Sequence, residues 1–347
     1  MTRDEVLRWL RETDETALET LYHRADELRR RHVGDAVHLR GLIEISNHCV
    51  RSCAYCGLRR PHDALARYRM TEEEILSCAR EAVEYGYGTV VMQAGEDHGI
   101  RRQWMADVIR RIKAKTPLAV TLSLGERTDE ALRLWRKAGA DRYLLRFETS
   151  NRALYDLIHP AHPHKHSDRM ALLKRLREIG YEIGSGVMIG IPGQSYEDLA
   201  TDIETFRGLD LDMIGVGPYL PHPATPLAKA PRLPEGEQVP NTEAMTYKVI
   251  ALTRIACPEA NIPSTTALAT LNLAQGRELG LQRGANIVMP NLTPAKYRAL
   301  YEIYPAKACI SETARQCHGC MKGRIVSIGR EIGAGAGGRR RTARAEN

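Results

Sequence analysis

Eight short runs rich in β-branched and apolar residues alternate with amphipathic helical patterns along the 347 residues of this chain. The predicted strands cover residues 39–46, 89–93, 118–124, 142–148, 183–189, 213–216, 262–267 and 286–290. Helix start signals lie between them, for example the capping sequence Thr71-Glu72-Glu73-Glu74. Repeated strand–helix units in a chain of this length predict an α/β fold, a (β/α)8 TIM barrel, with a doubly wound open sheet as the alternative.

The sequence divides into three regions. Residues 4–31 have apolar positions at spacings of three and four, so we expect an N-terminal helical leader over residues 1–34. The barrel is expected over residues 35–305, and a C-terminal extension that carries cysteines over residues 306–347. After Gly329 the chain has few apolar side chains, so this basic tail is expected to be disordered.

The charge balance does not indicate a nucleic-acid partner. The chain has 50 Lys and Arg residues against 43 Asp and Glu residues, and part of the excess lies in the terminal run Arg339 to Arg341, as in a solvated end. No run approaches the roughly 18 apolar residues of a membrane span, and the N-terminus is too charged for a signal peptide. We therefore expect a cytoplasmic protein without nucleic-acid or membrane partners, whose cysteines are not paired in disulfides.

Three cysteines, Cys49, Cys53 and Cys56, lie in a short segment just after the first predicted strand. Three thiolates on one loop can bind a soft metal centre and leave a coordination position for another ligand. A zinc site with His48 as the fourth ligand is the alternative. In a TIM barrel, this segment would lie at the barrel end where active sites are found.

The pattern Cys49-x3-Cys53-x-Tyr55-Cys56 resembles the signature of the radical S-adenosylmethionine (SAM) superfamily. The resemblance implies that the three cysteines bind three irons of a [4Fe-4S] cluster and that SAM chelates the fourth. It further implies reductive cleavage of SAM to a 5′-deoxyadenosyl radical, inside a barrel that keeps solvent away. The segment Gln93-Ala94-Gly95-Glu96-Asp97 resembles the family's GGE segment, which hydrogen-bonds the SAM amino group, although Ala94 replaces its first glycine.

Further segments resemble, more narrowly, the HydE family of [FeFe]-hydrogenase maturases, which is similar to biotin synthase and methylornithine synthase. They are Ser46-Asn47, Cys56 to Arg60, Tyr68 to Thr71, Thr121 to Glu126, Asp141 to Arg146, Gly217-Pro218, Pro221 to Pro223 and Met289 to Asn291. This resemblance implies assembly of the two-iron half of the hydrogenase active site from a small cysteine-bound iron carbonyl cyanide precursor. The implied partners are other maturases and an electron donor.

The same resemblance implies roles for individual residues. The implied SAM-binding residues are Gln93, Gly95, Glu96, Ser123, Glu148, Arg169 and Tyr301. The implied substrate-cavity residues are Arg142, Arg146, Thr265, Thr266 and Met289. Carboxylates can accept hydrogen bonds from ribose hydroxyls, and arginines can bind anionic groups. The structural alternatives are pairing of the two strand arginines with Glu148, and a surface position for Arg169. Phe147, where relatives often have His, is expected to face the helices.

A second set, Cys309, Cys317 and Cys320, resembles a second iron–sulfur site of some family members, holding [2Fe-2S] or [4Fe-4S]. A zinc knuckle with His318 is the alternative. The histidine-rich run 159–166 is expected to be a solvated, metal-free loop.

Three functional hypotheses therefore remain from the sequence. The first is a radical SAM enzyme of hydrogenase maturation, and the second is a radical SAM amino-acid mutase similar to methylornithine synthase. The third is an iron–sulfur scaffold that does not turn over SAM. The residues alone favour an anionic, thiol-bearing or amino-acid-like ligand in an arginine-lined cavity.

Overall fold

Helices and parallel strands alternate along the computed structural model, which describes residues 1–161 and 167–339. The strands are β1 (Ala36–Ser46), β2 (Thr89–Ala94), β3 (Ala119–Ser123), β4 (Arg142–Leu144), β5 (Glu182–Ile189), β6 (Met213–Pro218), β7 (Ile287–Val288) and β8 (Glu331–Gly333). The helices are α1 (Arg3–Arg11), α2 (Glu15–Val33), α3 (Glu72–Glu84), α4 (Arg102–Lys115), α5 (Asp129–Lys137), α6 (Arg152–Ile158), α7 (Arg169–Ile179), α8 (Tyr196–Gly208), α9 (Glu243–Ala256), α10 (Thr266–Leu271), α11 (Gly276–Gln282), α12 (Ala295–Arg298) and α13 (Ala314–Ser327). A 3-10 helix covers Pro226–Lys229.

The strands form a closed ring, which confirms the barrel prediction and excludes the open sheet. Neighbouring strands run in the order β6-β5-β4-β3-β2-β1-β7, and all these pairings are parallel. Residues 261–263 close the ring through single bridges from Asn261 to β6 and from Pro263 to β7. The predicted strand 262–267 is thus reduced to bridges, because Pro263 has no N–H to donate and Thr265 already caps α10.

Two layers of side chains follow from strand alternation. Leu39, Ile43 and Ile45 of β1 pack in the apolar core between the strands and the helices. Arg40 and Glu44 alternate with them and lie buried on the inner face of the barrel. The barrel interior is therefore polar and charged, as a binding chamber requires.

The N-terminal leader is helical, as predicted, but it forms two helices. α1 begins with a capping box between Thr2 and Glu5 and packs against α8, whereas α2 packs against α9. Among the described residues, no helix is long and apolar enough to cross a membrane.

The C-terminal tail covers the barrel end at which the strands begin. β8 pairs with the start of β1, and side chains of the barrel donate hydrogen bonds to tail carbonyl oxygens. These bonds run from Arg40 Nη2 to Gly337 O (2.9 Å), Arg142 Nη2 to Ala336 O (3.1 Å), Thr89 Oγ1 to Ala336 O (2.9 Å) and Asn261 Nδ2 to Gly337 O (3.1 Å). The prediction of disorder after Gly329 is therefore wrong for residues 331–339, because backbone carbonyls rather than apolar side chains fix them; residues 340–347 lie outside the described residues.

This contact also corrects the expectation for Arg142. Its Nε donates to Glu182 Oε2 at 2.6 Å, and both residues begin their strands. Arg142 therefore lies at the tail end of the barrel, opposite the cysteine loop that follows β1. Its charge is matched by Glu182 and by tail carbonyls, so it does not line a cavity beside the cysteines.

Replacing Gly88 with alanine is expected to detach the tail. The added Cβ would lie 1.7 Å from the Gly335 carbonyl oxygen, so the tail backbone has to move away. We expect the melting temperature to fall by a few degrees and trypsin to cleave faster after Arg330. Gly208→Ala is the matched control, because no atom lies within 4 Å of its new Cβ. Equal tail protection in both variants would contradict this role of the tail.

Candidate active site

Cys49, Cys53 and Cys56 lie on the loop between β1 and α3, at the barrel end where the strands finish. Backbone N–H groups of Arg51 and Glu96 hydrogen-bond the Cys49 sulfur. Burial raises the pKa of all three thiols, that of Cys53 to about 12. A bound metal centre would therefore have to supply the positive charge that makes these sulfurs thiolates.

The spacing of these thiols disfavours a single zinc ion. Among the described residues, no three ligand atoms from His48, Cys49, Cys53 and Cys56 lie within 4.8 Å of one another. The ligands of one zinc ion each lie about 2.0–2.3 Å from it and so crowd together. Three sulfurs on one loop, set further apart, fit the larger body of an iron–sulfur cluster.

Gly95, just after β2, allows its segment to pack closely against the cysteine loop. An added Cβ at Gly95 would lie 2.3 Å from the His48 carbonyl oxygen and 2.8 Å from Cys49 Cβ. The Gly95 N–H also donates to Ser46 O at 3.2 Å. The predicted site residue Gly95 therefore packs directly against the cysteine loop.

Four charged residues, each with at most 10% of its side chain exposed, lie behind the cysteines and join four segments of the chain. Arg51 contacts Glu96 (Nε to Oε1, 2.9 Å) and Glu126 (Nη2 to Oε2, 2.8 Å). Arg169 contacts the other oxygen of Glu126, with Nε 3.3 Å from Oε1. The Glu126 N–H donates to Glu96 Oε2 at 3.0 Å. This network, Arg51–Glu96–Glu126–Arg169, fixes the cysteine loop relative to strands β2 and β3 and to helix α7.

Arg169 is not a surface cation, since only 10% of its side chain is exposed. Its Nη1 donates to the Arg146 carbonyl oxygen at 2.6 Å, which ties the start of α7 to the segment after β4. In that segment Glu148 has a φ of 63°, an uncommon backbone conformation for a residue other than glycine. Glu148 accepts from Arg146 Nε (3.1 Å) and from the Tyr55 hydroxyl (3.4 Å). The structure thus brings Arg146, Glu148 and Arg169 together beside the cysteine loop.

Three further predicted SAM residues lie at the same barrel end. Gln93 and Ser123 are paired in register at the ends of β2 and β3. Gln93 Nε2 donates to the Tyr301 hydroxyl at 3.2 Å. Lys307 places its ammonium group 5.1 Å from the centre of the Tyr301 ring and forms an ion pair with the buried Glu44. A chain of polar groups therefore runs from the strand ends to the C-terminal extension.

The predicted substrate residues, apart from Arg142, lie towards the same end of the barrel as the cysteine loop. Thr265 caps α10 and lies beside Gly217 of β6. Thr266 and Met289 line a small interior cavity. The other residues of its lining are Leu42, Arg277, Asn291, Lys307, Ala308, Cys309 and Cys317. The second cysteine set thus borders the barrel interior. Phe147 faces the helices, as expected, with its ring 5.7 Å from that of Phe206 on α8.

Only two cysteines of the second set, Cys309 and Cys317, lie close together in the structure. Ligand atoms of Cys309, Glu312 and Cys317 all lie within 4.8 Å of one another. A hydrogen bond from Cys309 lowers the pKa of Cys317 and favours its thiolate. Cys320 is exposed and contacts Arg324 (Nε to Sγ, 3.4 Å).

The structure does not bring His318 to this group. Its ring stacks on Tyr85 with centroids 4.7 Å apart, and its Nδ1 lies 3.1 Å from the Tyr87 hydroxyl.

The histidine-rich segment differs from the expected solvated loop at its first residue. His159 is buried and its Nε2 lies 2.6 Å from Arg169 Nη2. Because the guanidinium can only donate, His159 accepts this bond as a neutral ring. His162, His164 and His166 lie outside the described residues.

Acid is expected to destabilise the fold through His159. Burial, with the charge of Arg169, lowers its pKa from 6.5 to about 3. Below pH 6.5 the unfolded chain binds a proton at this position that the native chain does not, so stability falls as the pH falls. Between pH 7.5 and 5.0 the loss is about 2 kcal/mol. Thermal denaturation at pH 7.5 and 5.0 should show a smaller acid-induced drop for His159→Gln than for wild type; equal drops would contradict the assignment.

The sequence interpretation assigned no role to Arg51, Glu126 or Lys307. The sequence does contain a signal for Arg51, which is a charged residue between two predicted ligand cysteines. It also contains one for Glu126, which is a carboxylate just past β3. No local pattern marks Lys307, because its partner Glu44 is distant in the chain.

Comparison with known proteins agrees with this geometry. The profile of the Radical SAM superfamily matches residues 43–206. The [FeFe] hydrogenase maturase subunit HydE of Thermotoga maritima is 45% identical over 98% of this chain and 94% of its own length. The 3-methylornithine synthase of Methanosarcina acetivorans is 27% identical over 83% of this chain and 79% of its own.

Two solved structures share the fold. Methylornithine synthase (PylB) has a TM-score of 0.81 at 23% identity, covering 96% of this chain and 94% of its own. HydG, a maturase of the [FeFe]-hydrogenase, has a TM-score of 0.77 at 21% identity, covering 95% of this chain and 71% of its own.

Proposed function

Because this chain belongs to the HydE family of radical SAM maturases of [FeFe]-hydrogenase, we propose that it acts on a small cysteine-bound iron carbonyl cyanide precursor of the hydrogenase two-iron unit. As a radical SAM enzyme it uses a [4Fe-4S] cluster and SAM. The observation that carries the proposal is the three-cysteine loop at the strand ends, whose sulfurs are too widely spaced for one zinc ion.

We assign Cys49, Cys53 and Cys56 as the cluster ligands. When bound, the cluster supplies the low-potential electron that cleaves SAM to the 5′-deoxyadenosyl radical. The chain's own contribution is to hold the sulfurs of Cys49 and Cys56 with backbone N–H groups, such as that of Arg51 on Cys49, and to exclude water around the loop.

The proposed SAM site combines residues of five segments. The residues are Gln93, Gly95, Glu96, Ser123, Glu148, Arg169 and Tyr301. The Glu96 carboxylate already accepts from Arg51 and from the Glu126 N–H, so its contact to the SAM amino group would run through the backbone. Glu148, which accepts a hydrogen bond from Tyr55 beside the cysteines, is suited to ribose hydroxyls.

The proposed substrate chamber is lined by Arg146, Thr265, Thr266 and Met289. The Arg146 guanidinium is about one third exposed and so can bind an anionic group of the precursor. Arg142 is left out, because it lies at the tail end of the barrel.

We propose a second metal centre at the C-terminal set, an iron–sulfur cluster held by Cys309 and Cys317 together with Cys320. Glu312 lies close enough to be a further ligand. We also propose that the protein receives electrons from a donor protein and exchanges its substrate and product with other maturases. A reducing, cytoplasmic compartment suits it, since all eight cysteines are free thiols.

An anaerobic maturation assay tests the function. The hydrogenase apoprotein is incubated with every other maturase, SAM and a reductant, and this reconstituted protein is added, omitted or replaced by its Cys53→Ala variant. Hydrogen evolution that requires the unchanged protein supports the proposal. SAM cleavage without any hydrogenase activation would leave the radical chemistry standing and overturn the substrate, which would favour the amino-acid mutase.

A further inference from the structure

Arg51 has an unusual position for a charged residue. It lies between Cys49 and Cys53 in the chain, and its side chain is 3% exposed. Its Nε and Nη2 contact Glu96 and Glu126, whereas its Nη1 is buried without a hydrogen-bond partner among the described residues. A buried guanidinium with an unused donor beside two sulfurs is costly unless it interacts with what those sulfurs bind.

The charges around Arg51 are balanced in number. Arg51 and Arg169 are positive and Glu96 and Glu126 are negative, with side-chain exposures of 3%, 10%, 5% and 4%. Solvent screens buried charges poorly, so each acts strongly over short distances. Removing one member leaves a net charge of one unit next to the cysteine loop, whose sign depends on the member removed.

We propose that Arg51 is a positioning residue that raises the reduction potential of the [4Fe-4S] cluster and that Glu126 counteracts it. The inference rests on the proposed ligand assignment of Cys49, Cys53 and Cys56. Reduction adds one electron from an external donor to the cluster and makes it more negative by one charge. A buried positive charge stabilises that reduced form, whereas a buried negative charge opposes it.

Two substitutions should shift the potential in opposite directions. Arg51→Gln leaves two carboxylates against one guanidinium, so the cluster should become harder to reduce. Glu126→Gln leaves two guanidinium groups against one carboxylate, so the cluster should become easier to reduce. A tenfold change in the equilibrium constant for reduction corresponds to 59 mV for a one-electron couple, and we expect shifts of about this size.

The measurement is a dithionite redox titration of the reconstituted protein at pH 8, followed by electron paramagnetic resonance. The signal that changes on addition of SAM identifies the relevant cluster and separates it from the second one. Arg60→Gln is the matched control, since Arg60 lies on the same loop but is exposed, where solvent screens its charge. Its potential should equal that of the wild type.

The outcomes separate this inference from the ligand assignment. Shifts of the same sign, or unchanged potentials in Arg51→Gln and Glu126→Gln, would overturn the inference. If Arg51→Gln binds no iron, the variants Arg51→Lys and Glu126→Gln test the inference instead. A wild-type reduction potential in Glu126→Gln would overturn the inference. A raised potential in Glu126→Gln, together with an unchanged potential in Arg51→Lys, would support it. A SAM-responsive signal that survives Cys53→Ala would instead refute the ligand assignment.

Discussion

Replacing Cys53 with alanine is expected to reduce 5′-deoxyadenosine formation from SAM to below detection. Cys53 is buried on the loop after β1, and its removal leaves two of the three assigned cluster ligands. With only two of these sulfurs left, the chain would hold the cluster too weakly to supply the electron for SAM cleavage. Anaerobic chromatography of the nucleoside product, with dithionite as reductant and with iron counted per chain, measures the effect.

Cys78→Ala is the matched control for Cys53→Ala. Cys78 is also buried, but it lies on α3 and its thiol donates to the Leu292 carbonyl oxygen at 3.3 Å. This variant should cleave SAM at close to the wild-type rate, at a small cost in stability. Product formation by Cys53→Ala that still depends on iron and SAM would show that Cys53 is not a cluster ligand.

Most of the barrel was predictable because its signals are local. Alternating apolar runs and helix caps specify parallel strands joined by helices, and a right-handed sequence of such units closes a barrel. The strand predicted at 262–267 failed because Pro263 lacks an N–H and limits the ladder to bridges. The ordered tail was missed because its stability depends on buried arginines, such as Arg40, that are distant in the sequence.

Only part of the candidate site could be predicted from the sequence. The three-cysteine pattern is a spacing within one loop, so the sequence displays it directly. The network of Arg51 with Glu96, Glu126 and Arg169 joins four separate segments, and no periodicity reveals such pairs. The predicted cavity position of Arg142 was wrong because side-chain alternation indicates the face of a strand but not which end of the barrel a residue occupies. Its position at the start of β4 indicates the end opposite the cysteine loop.

Gly95→Ala is expected to lower SAM cleavage by 100-fold or more while the barrel stays folded. The new Cβ would lie 2.3 Å from the His48 carbonyl oxygen and 2.8 Å from Cys49 Cβ. Both atoms belong to the cysteine loop, and neither is the end of a flexible side chain, so the loop has to shift. A displacement of about 1 Å at a reacting centre typically costs about 100-fold in rate. The rate of 5′-deoxyadenosine formation and the melting temperature should be measured together.

Gly215→Ala separates this steric effect from the general cost of a strand glycine. Gly215 lies in β6, and the nearest atoms to its new Cβ, in Pro263 and Ser185, are 3.9 Å away, which is ordinary contact. This variant should keep its activity within about twofold, because no catalytic segment is pushed. Full activity in Gly95→Ala would mean that the segment after β2 does not position the cysteine loop, and the proposed contact of this segment with SAM would lose its structural support.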